Sequence, residues 1–318
     1  MPTEPAGEPV PLSPAAAAAA ARGVRMARDR FGVRRAALFW RARDPDRMVC
    51  VASEGEGGAD RWLGRTLAAG VGMAGRAVAE GRPVWSEDLL ADPRVPVSPW
   101  LRERLEQEGL RTVAAAPLRA GTVTRGALGL LDEAGRAFDQ AALERLALTA
   151  DEVIGAVEHA MGMETLRIRL EAQAESLRVI ATGPAPGDLD RRPASGEWSA
   201  RENLAHLARH QAVFLDRIDR IVTEETPALG RYRAEDDAAW PAWSALPVHE
   251  VLARHRAGRE RLVEWMTALS VEHARRVGAH PTLGAMSIPA WLDFFLLHEA
   301  HHLYVAMVRL AQARLHQP

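Results

Sequence analysis

The sequence predicts two folds in series: an α+β N-terminal domain, with an antiparallel sheet and flanking helices, and then an all-α four-helix bundle. Three observations predict this. At 318 residues the chain is long for a single domain. Up to about residue 160, short apolar runs alternate with turns marked by Gly, Pro and Asp and with short helical stretches. Beyond that point the patterns are helical and are separated by Pro- and Gly-bearing connections. The expected division is a disordered tail over 1–13, a first domain over 14–160 and a bundle over 161–318.

Met1 to Pro11 is rich in Pro, Glu and Gly, a composition of unstructured tails. Ser13-Pro14 reads as a helix cap and first helical position, and Gly32 ends that helix after about Arg30. Arg35–Arg41 and Met48–Ala52 read as strands of a hairpin turning at Asp44-Pro45-Asp46, followed by a loop over Gly55–Gly58. Gly70 to Gly81 reads as a short helix entered and left through glycines, with a strand starting at Pro83-Val84-Trp85. After a proline-rich loop and a charged helix over Leu101–Glu108, Thr112–Leu118 and Arg125–Leu131 form a second hairpin around Gly121. Phe138 opens a closing helix, with Leu143, Leu146, Val153, Ile154 and Val157 on one face.

That helix has no strong stop before Gly183-Pro184-Ala185-Pro186-Gly187, since Gly162 is a weak interruption. Leu166–Ile180 is thus the first bundle helix, reached through a helical linker. Trp198 to about Val222 is the second, Val248–Ala268 the third and Ser287 to about Arg314 the fourth. The long connection Thr226–Pro247 between the second and third is compatible with a bundle.

The last helix carries Leu297-His298-Glu299-Ala300-His301-His302-Leu303. His298 and His302 are four apart, so they share a helix face and reach one ion; His301 points about 100° away. A third candidate is His206, in a helix that Ser199 can cap and Glu202 can close as a capping box. Three imidazoles suit a borderline divalent metal, zinc or nickel, and leave a coordination position open for water or substrate. The competing reading makes them ordinary histidines of amphipathic helices. His210 reads as a fourth neighbour or as a residue one turn from the ion, and Glu299 as an orienting group or base, or as pointing elsewhere. Glu197 and Glu202 read as helix-start acids. His249, His255, His273 and His280 have no compelling spacing partner, and Trp240 and Trp243 read as packing.

Two resemblances sharpen this. Trp198-Ser199 leading into Asn203-Leu204-Ala205-His206-Leu207, with the late Leu-His-Glu-Ala-His-His-Leu, resembles the DinB superfamily over about Met163–Gln312. The resemblance implies that His206, His298 and His302 bind a divalent metal. It also implies an enzyme related to low-molecular-weight thiol S-transferases or of hydrolase-like activity, with such a thiol as a partner. The order of the N-terminal elements, together with Gly72-Met73-Ala74-Gly75-Arg76-Ala77-Val78-Ala79-Glu80-Gly81-Arg82-Pro83-Val84, Ala115-Ala116-Pro117-Leu118, Gly126-Ala127-Leu128-Gly129-Leu130-Leu131 and Phe138-Asp139-Gln140, resembles a GAF domain over about Ala15–His159. That implies a sheet with helices on one side and a small-ligand pocket on the other. The signature of cyclic-nucleotide GAF domains is absent. The alternative function is a non-catalytic ligand sensor or dimeric signalling module in which the bundle metal is structural.

Composition bounds the rest. All 40 basic residues are arginine, against 42 acidic ones, and the net charge of −2 gives no support for nucleic-acid binding. The single cysteine, Cys50, excludes a disulfide framework or thiolate cluster and reads as a small core residue rather than a redox thiol. No apolar run approaches membrane-spanning length, and the start lacks a signal-peptide pattern, so the expectation is a cytoplasmic protein off the membrane. Phe39, Trp40 and Trp85 read as core. Gly70-Val71-Gly72-Met73-Ala74-Gly75 lacks the strand context and spacing of a dinucleotide fingerprint.

Overall fold

The computed structural model describes residues 12–44, 46–57, 61–185 and 187–315. The tail expected over Met1–Pro11, and Pro45, Gly58 and Pro186 of the expected turns and loops, lie outside the described residues. The chain divides into two compact units at Met161/Gly162.

The first unit opens with α1 (Pro14–Phe31), capped by the Ser13 hydroxyl accepting from the Ala16 N–H and ended by Gly32 in the left-handed region (φ 57°). Then come β1 (Arg35–Arg41), β2 (Arg47–Gly55), β3 (Thr66–Ala68), α2 (Gly72–Glu80), β4 (Val84–Ser86), α3 (Pro99–Gln107), β5 (Thr112–Ala120) and β6 (Val123–Asp132). The sheet order is β3-β2-β1-β6-β5-β4, with every neighbouring pair antiparallel. β3 was not legible in the sequence: it is three residues long and pairs only with the start of β2.

Strand alternation gives the sheet two buried faces. Ala36, Leu38, Trp40, Ala116, Leu128 and Leu130 pack under α1 and the first half of α4 (Gln140–Thr182). Ala37, Phe39, Cys50, Val113, Ala115 and Leu131 pack under α2, α3 and Trp62. Phe39, Trp40 and Cys50 are thus core residues, and burial pushes the Cys50 thiol up to about 12, away from thiolate chemistry. The face on which a ligand pocket was expected is filled by Trp62, Met73, Leu101 and Leu105, all buried. Arg35, also buried, holds the edge of this face: its Nε donates to Glu108 (2.7 Å), which in turn accepts from the Trp62 indole N–H (2.9 Å).

One glycine of the β6 motif has a steric role. A Cβ on Gly126 would stand 1.9 Å from the Phe39 carbonyl oxygen, across the β1–β6 ladder.

α4 is one unbroken helix of 43 residues, and Gly162 does not interrupt it. Its second half belongs to the second unit, with α5 (Ala200–Thr223), α6 (Trp240–Ser244), α7 (Val248–Ala268), α8 (Val271–Arg275), β7 (Val277–His280), β8 (Gly284–Ser287) and α9 (Ile288–Leu315). The four long helices are those the apolar spacing marks. The β7–β8 hairpin and α8 are not marked: four-residue strands leave almost no alternation to read. Two apolar cores fill the bundle, one around Phe214, Ile218, Leu262, Trp291 and Phe295, the other around Leu177, Leu204, Leu207, Val251, Leu303 and Ala306. Among the described residues no helix is long and apolar enough to cross a membrane.

Replacing Gly126 by Ala is expected to destabilise the first unit by about 3 kcal/mol, because the strand backbone must move to admit a methyl group. The same change at Gly121, where an added Cβ meets nothing within 4 Å, carries only the backbone strain of its positive φ. Urea midpoints of the two variants compare the two costs.

Candidate metal and substrate site

α5 starts under tight control. Ser199 Oγ accepts from the Glu202 N–H (3.2 Å), and Glu202 Oε2 accepts from the Ser199 N–H (2.8 Å), the full capping box that the sequence suggests. Arg192 clamps the Glu202 carboxylate from outside. This fixes the helix start about one, two and three turns before Asn203, His206 and His210, all of which are buried.

His206 faces the HxxxH pair of α9. One nitrogen from each of His206, His298 and His302 lies within 4.8 Å of the others. The Nε2 atoms of His206 and His298 are 3.0 Å apart. A tetrahedral ion at 2.0–2.1 Å from three nitrogens would space them at about 3.4 Å, a spacing of the same order as the separations found here. His302 is pre-set for this: its Nδ1 lies 2.9 Å from Asn203 Oδ1, while Asn203 Nδ2 donates to the Ser199 carbonyl (2.8 Å). With Nδ2 committed as donor, Oδ1 must accept, so His302 carries its proton on Nδ1 and offers the Nε2 lone pair. His206 has no such support among the described residues, where its buried Nδ1 finds no hydrogen-bond partner.

Aromatic rings wall the cluster. Trp198 packs on His206 (5.1 Å between ring centroids) and Trp240 (4.9 Å), and Tyr232 stacks on His206 (5.7 Å). Tyr232 is held by donating to Asp237 (3.0 Å), which also takes Arg209 (2.6 Å). Burial, with like-charge repulsion from neighbouring histidines, pushes His206 down to about 3 and His302 to about 2; burial and the His301 charge push His298 to about 4. All three are therefore neutral near pH 7, the form that ligates metal.

The histidines line a cavity of about 490 Å³ together with Arg217, Arg231, Tyr232, Arg233, His280 and Phe294. Its mouth is built from two non-helical segments. The connection after α5 and the β7–β8 hairpin are joined by two backbone hydrogen bonds, Leu229 N–H to Ala279 O and Ala279 N–H to Pro227 O, both 2.9 Å.

The remaining candidates fall on both sides of their expectations. His210 stacks on Phe295 and lies 4.0 Å, centroid to centroid, from His298, but it is not in the converging set of nitrogens. Glu299 turns into the bundle interior: its Oε1 meets His255 Nε2 (2.9 Å) and the Arg259 guanidinium. Burial alone would raise that carboxyl, but the His255 hydrogen bond and the Arg259 charge hold it low. Arg259 also donates to Gln211 Oε1 (2.9 Å) and the Leu170 carbonyl (2.8 Å), joining four helices through one guanidinium. The sequence reading missed this network and Asn203; the i,i+4 pair His255/Arg259 was its only local signal. Glu197 pairs with Arg309 at 3.0 Å, and His301 is exposed.

Residues 16–157 match the GAF domain and residues 169–306 the DinB superfamily. A protein of Oceanobacillus iheyensis provisionally named a metal-dependent hydrolase is 29% identical over 115 residues, 36% of this chain and 66% of that protein, so the chain spans just under two thirds of its length. Among solved structures, YfiT from Bacillus subtilis, described as a probable metal-dependent hydrolase with an unusual four-helix bundle topology, is 23% identical with a TM-score of 0.40, covering 47% of this chain and 86% of its own. The GAF domain of an Acinetobacter phosphoenolpyruvate-protein phosphotransferase is 16% identical with a TM-score of 0.40, covering 48% of this chain and 88% of its own.

Two outcomes are expected. In metal-free protein the imidazole resonances of His206, His298 and His302 stay at their neutral positions from pH 7 to about pH 5. In the unfolded chain these groups take protons near 6.5, so the unfolded state binds more protons below that pH. Stability therefore falls as pH drops from about 6.5 toward 4, and chemical denaturation across that range reads the slope. Separately, Glu299→Ala strands the buried Arg259 charge and is expected to cost about 3–5 kcal/mol in a urea titration.

Proposed function

Taking the chain as a GAF domain followed by a DinB-superfamily bundle, we propose that it is a metal-dependent enzyme. Its reaction centre is His206, His298 and His302, and its N-terminal domain serves a regulatory role. The observation that carries this reading is the convergence of three neutral imidazole nitrogens at the floor of a cavity, one of them pre-set by Asn203. A divalent ion held there, zinc or nickel by the all-imidazole donor set, would supply Lewis acidity to a water or thiol in the open position.

The chain's own residues do the rest. Asn203 holds the His302 tautomer. Trp198, Tyr232 and Trp240 exclude bulk water from the histidines and keep them unprotonated. The name of the Oceanobacillus relative supports hydrolysis. One feature favours thiol transfer as the second reading: the only carboxylate among the cavity-lining residues, Glu235, is exposed. A hydrolase gains from a positioned base beside its water, whereas a thiol acidified by the ion is a nucleophile without one.

Metal analysis of untagged protein tests the centre directly. About one equivalent of divalent metal is expected in the wild type and none in the His206, His298, His302 triple Ala variant, with helix content by circular dichroism retained. Full occupancy in the single His302→Ala variant rules the site out. Asn203→Ala, which frees the His302 ring, is expected to weaken metal affinity about 10- to 100-fold. Monitoring ester cleavage and thiol conjugation on the loaded protein separates the two reactions.

A further inference from the structure

The cavity above the histidines carries more positive charge than its walls balance. Arg217 lies on α5, seven residues and so about two turns beyond His210, and only 8% of it is exposed. Its guanidinium donates to the Gly230 carbonyl and lies 5.9 Å from the Trp291 ring centroid. Among the described residues no carboxylate comes within ion-pair distance of it; Asp216, its neighbour in the chain, favours the charge without pairing with it, and a buried unpaired cation is costly. Its charge disfavours protonation of His210, His280 and His298, which places it in the same electrostatic neighbourhood as the reaction centre.

The rest of the mouth adds to this. Arg231 and Arg233, both exposed, flank the cavity, so three arginines line it against the single carboxylate of Glu235. Asp237, further along the same connection, is already committed to Arg209 and Tyr232. His280 Nδ1 accepts from the Thr282 and Leu283 N–H groups (3.2 and 3.1 Å), so its ring proton sits on Nε2, which is left as a donor. Leu283 and Phe294 supply apolar wall between.

We propose that this end of the cavity recognises an anionic oxyacid group, carboxylate or phosphate, of the small molecule processed at the histidines, with Arg217 as the buried anchor and Arg231, Arg233 and His280 around it. The assignment rests on the cavity being the reaction site proposed above. Arginine suits the role because its planar fork pairs bidentately with either oxyacid. The substrate then spans the cavity, its anion at Arg217 and its reacting group toward His206, His298 and His302.

The test is binding to the full chain after metal removal, so that neither an ion nor turnover contributes. Glutarate, inorganic phosphate and the neutral glutaramide are titrated by calorimetry. Glutarate or phosphate is expected to bind and to weaken with added sodium chloride, and glutaramide is expected not to bind; which anion binds identifies the oxyacid. Arg217→Gln is expected to weaken that binding at least tenfold while leaving metal occupancy unchanged. The exposed pair Arg231→Ser with Arg233→Ser is expected to weaken it at least threefold and decides the matter if Arg217→Gln fails to fold. Absence of binding by both anions, equal binding of glutaramide, or undiminished binding in the folded variants overturns the assignment. Absence of metal from the wild type with anion binding intact instead overturns the metal reading and, with it, the assignment of the anion to a processed substrate.

Discussion

Burial of the imidazoles is the constraint on which the C-terminal half depends. Bringing His206 of α5 against His298 and His302 of α9 takes one titratable ring wholly and two partly out of water and into an aromatic enclosure. That desolvation would be a pure cost if the rings had to carry charge. Kept neutral, they become lone-pair donors aimed at one point. The enclosure and the donor set are thus one device: removing an aromatic wall would admit water and with it protons.

Two rigid supports hold this device, one on each side of the helices that carry it. At the start of α5, Ser199 and Glu202 fix where the helix begins, and Asn203 uses that same start to orient His302. Between α7 and α9, Arg259 and Glu299 form a buried pair whose remaining donors reach α4 and α5. Glu299 is the neighbour of His298 in sequence, so the residue that anchors α9 in the bundle sits beside one that faces the cavity. A helix register error would misplace both at once.

The histidines, the four long bundle helices and the capping box were legible because each leaves a signal within a few residues: the i,i+4 spacing of His298 and His302, the Ser199/Glu202 offset, the apolar stripes. The strand hairpins of the first unit were legible through alternation and Gly or Pro at their turns. What escaped has no such local trace. β3, β7 and β8 are too short for a period of two to appear. Asn203 gains its role only from His302, 99 positions later, and Arg217 only from the connection that folds over it. The filled second face of the sheet is a property of side-chain volumes, Trp62 and Met73 above all, and no motif records how tightly a face is packed.

The mouth of the cavity has a consequence for how such a protein can change over time. Its floor is made by helices whose residues are locked into shared cores and buried ion pairs, so most substitutions there threaten the whole bundle. Its rim is made by a connection and a small hairpin tied to each other through backbone hydrogen bonds that join Pro227 and Leu229 to Ala279. Backbone bonds are indifferent to side-chain identity. Arg231, Arg233, Thr282 and Leu283 can therefore be exchanged without disturbing the chemistry beneath them. The architecture separates what must stay fixed from what is free to drift, and lineages descending from one such bundle can acquire new selectivities by altering a few rim positions.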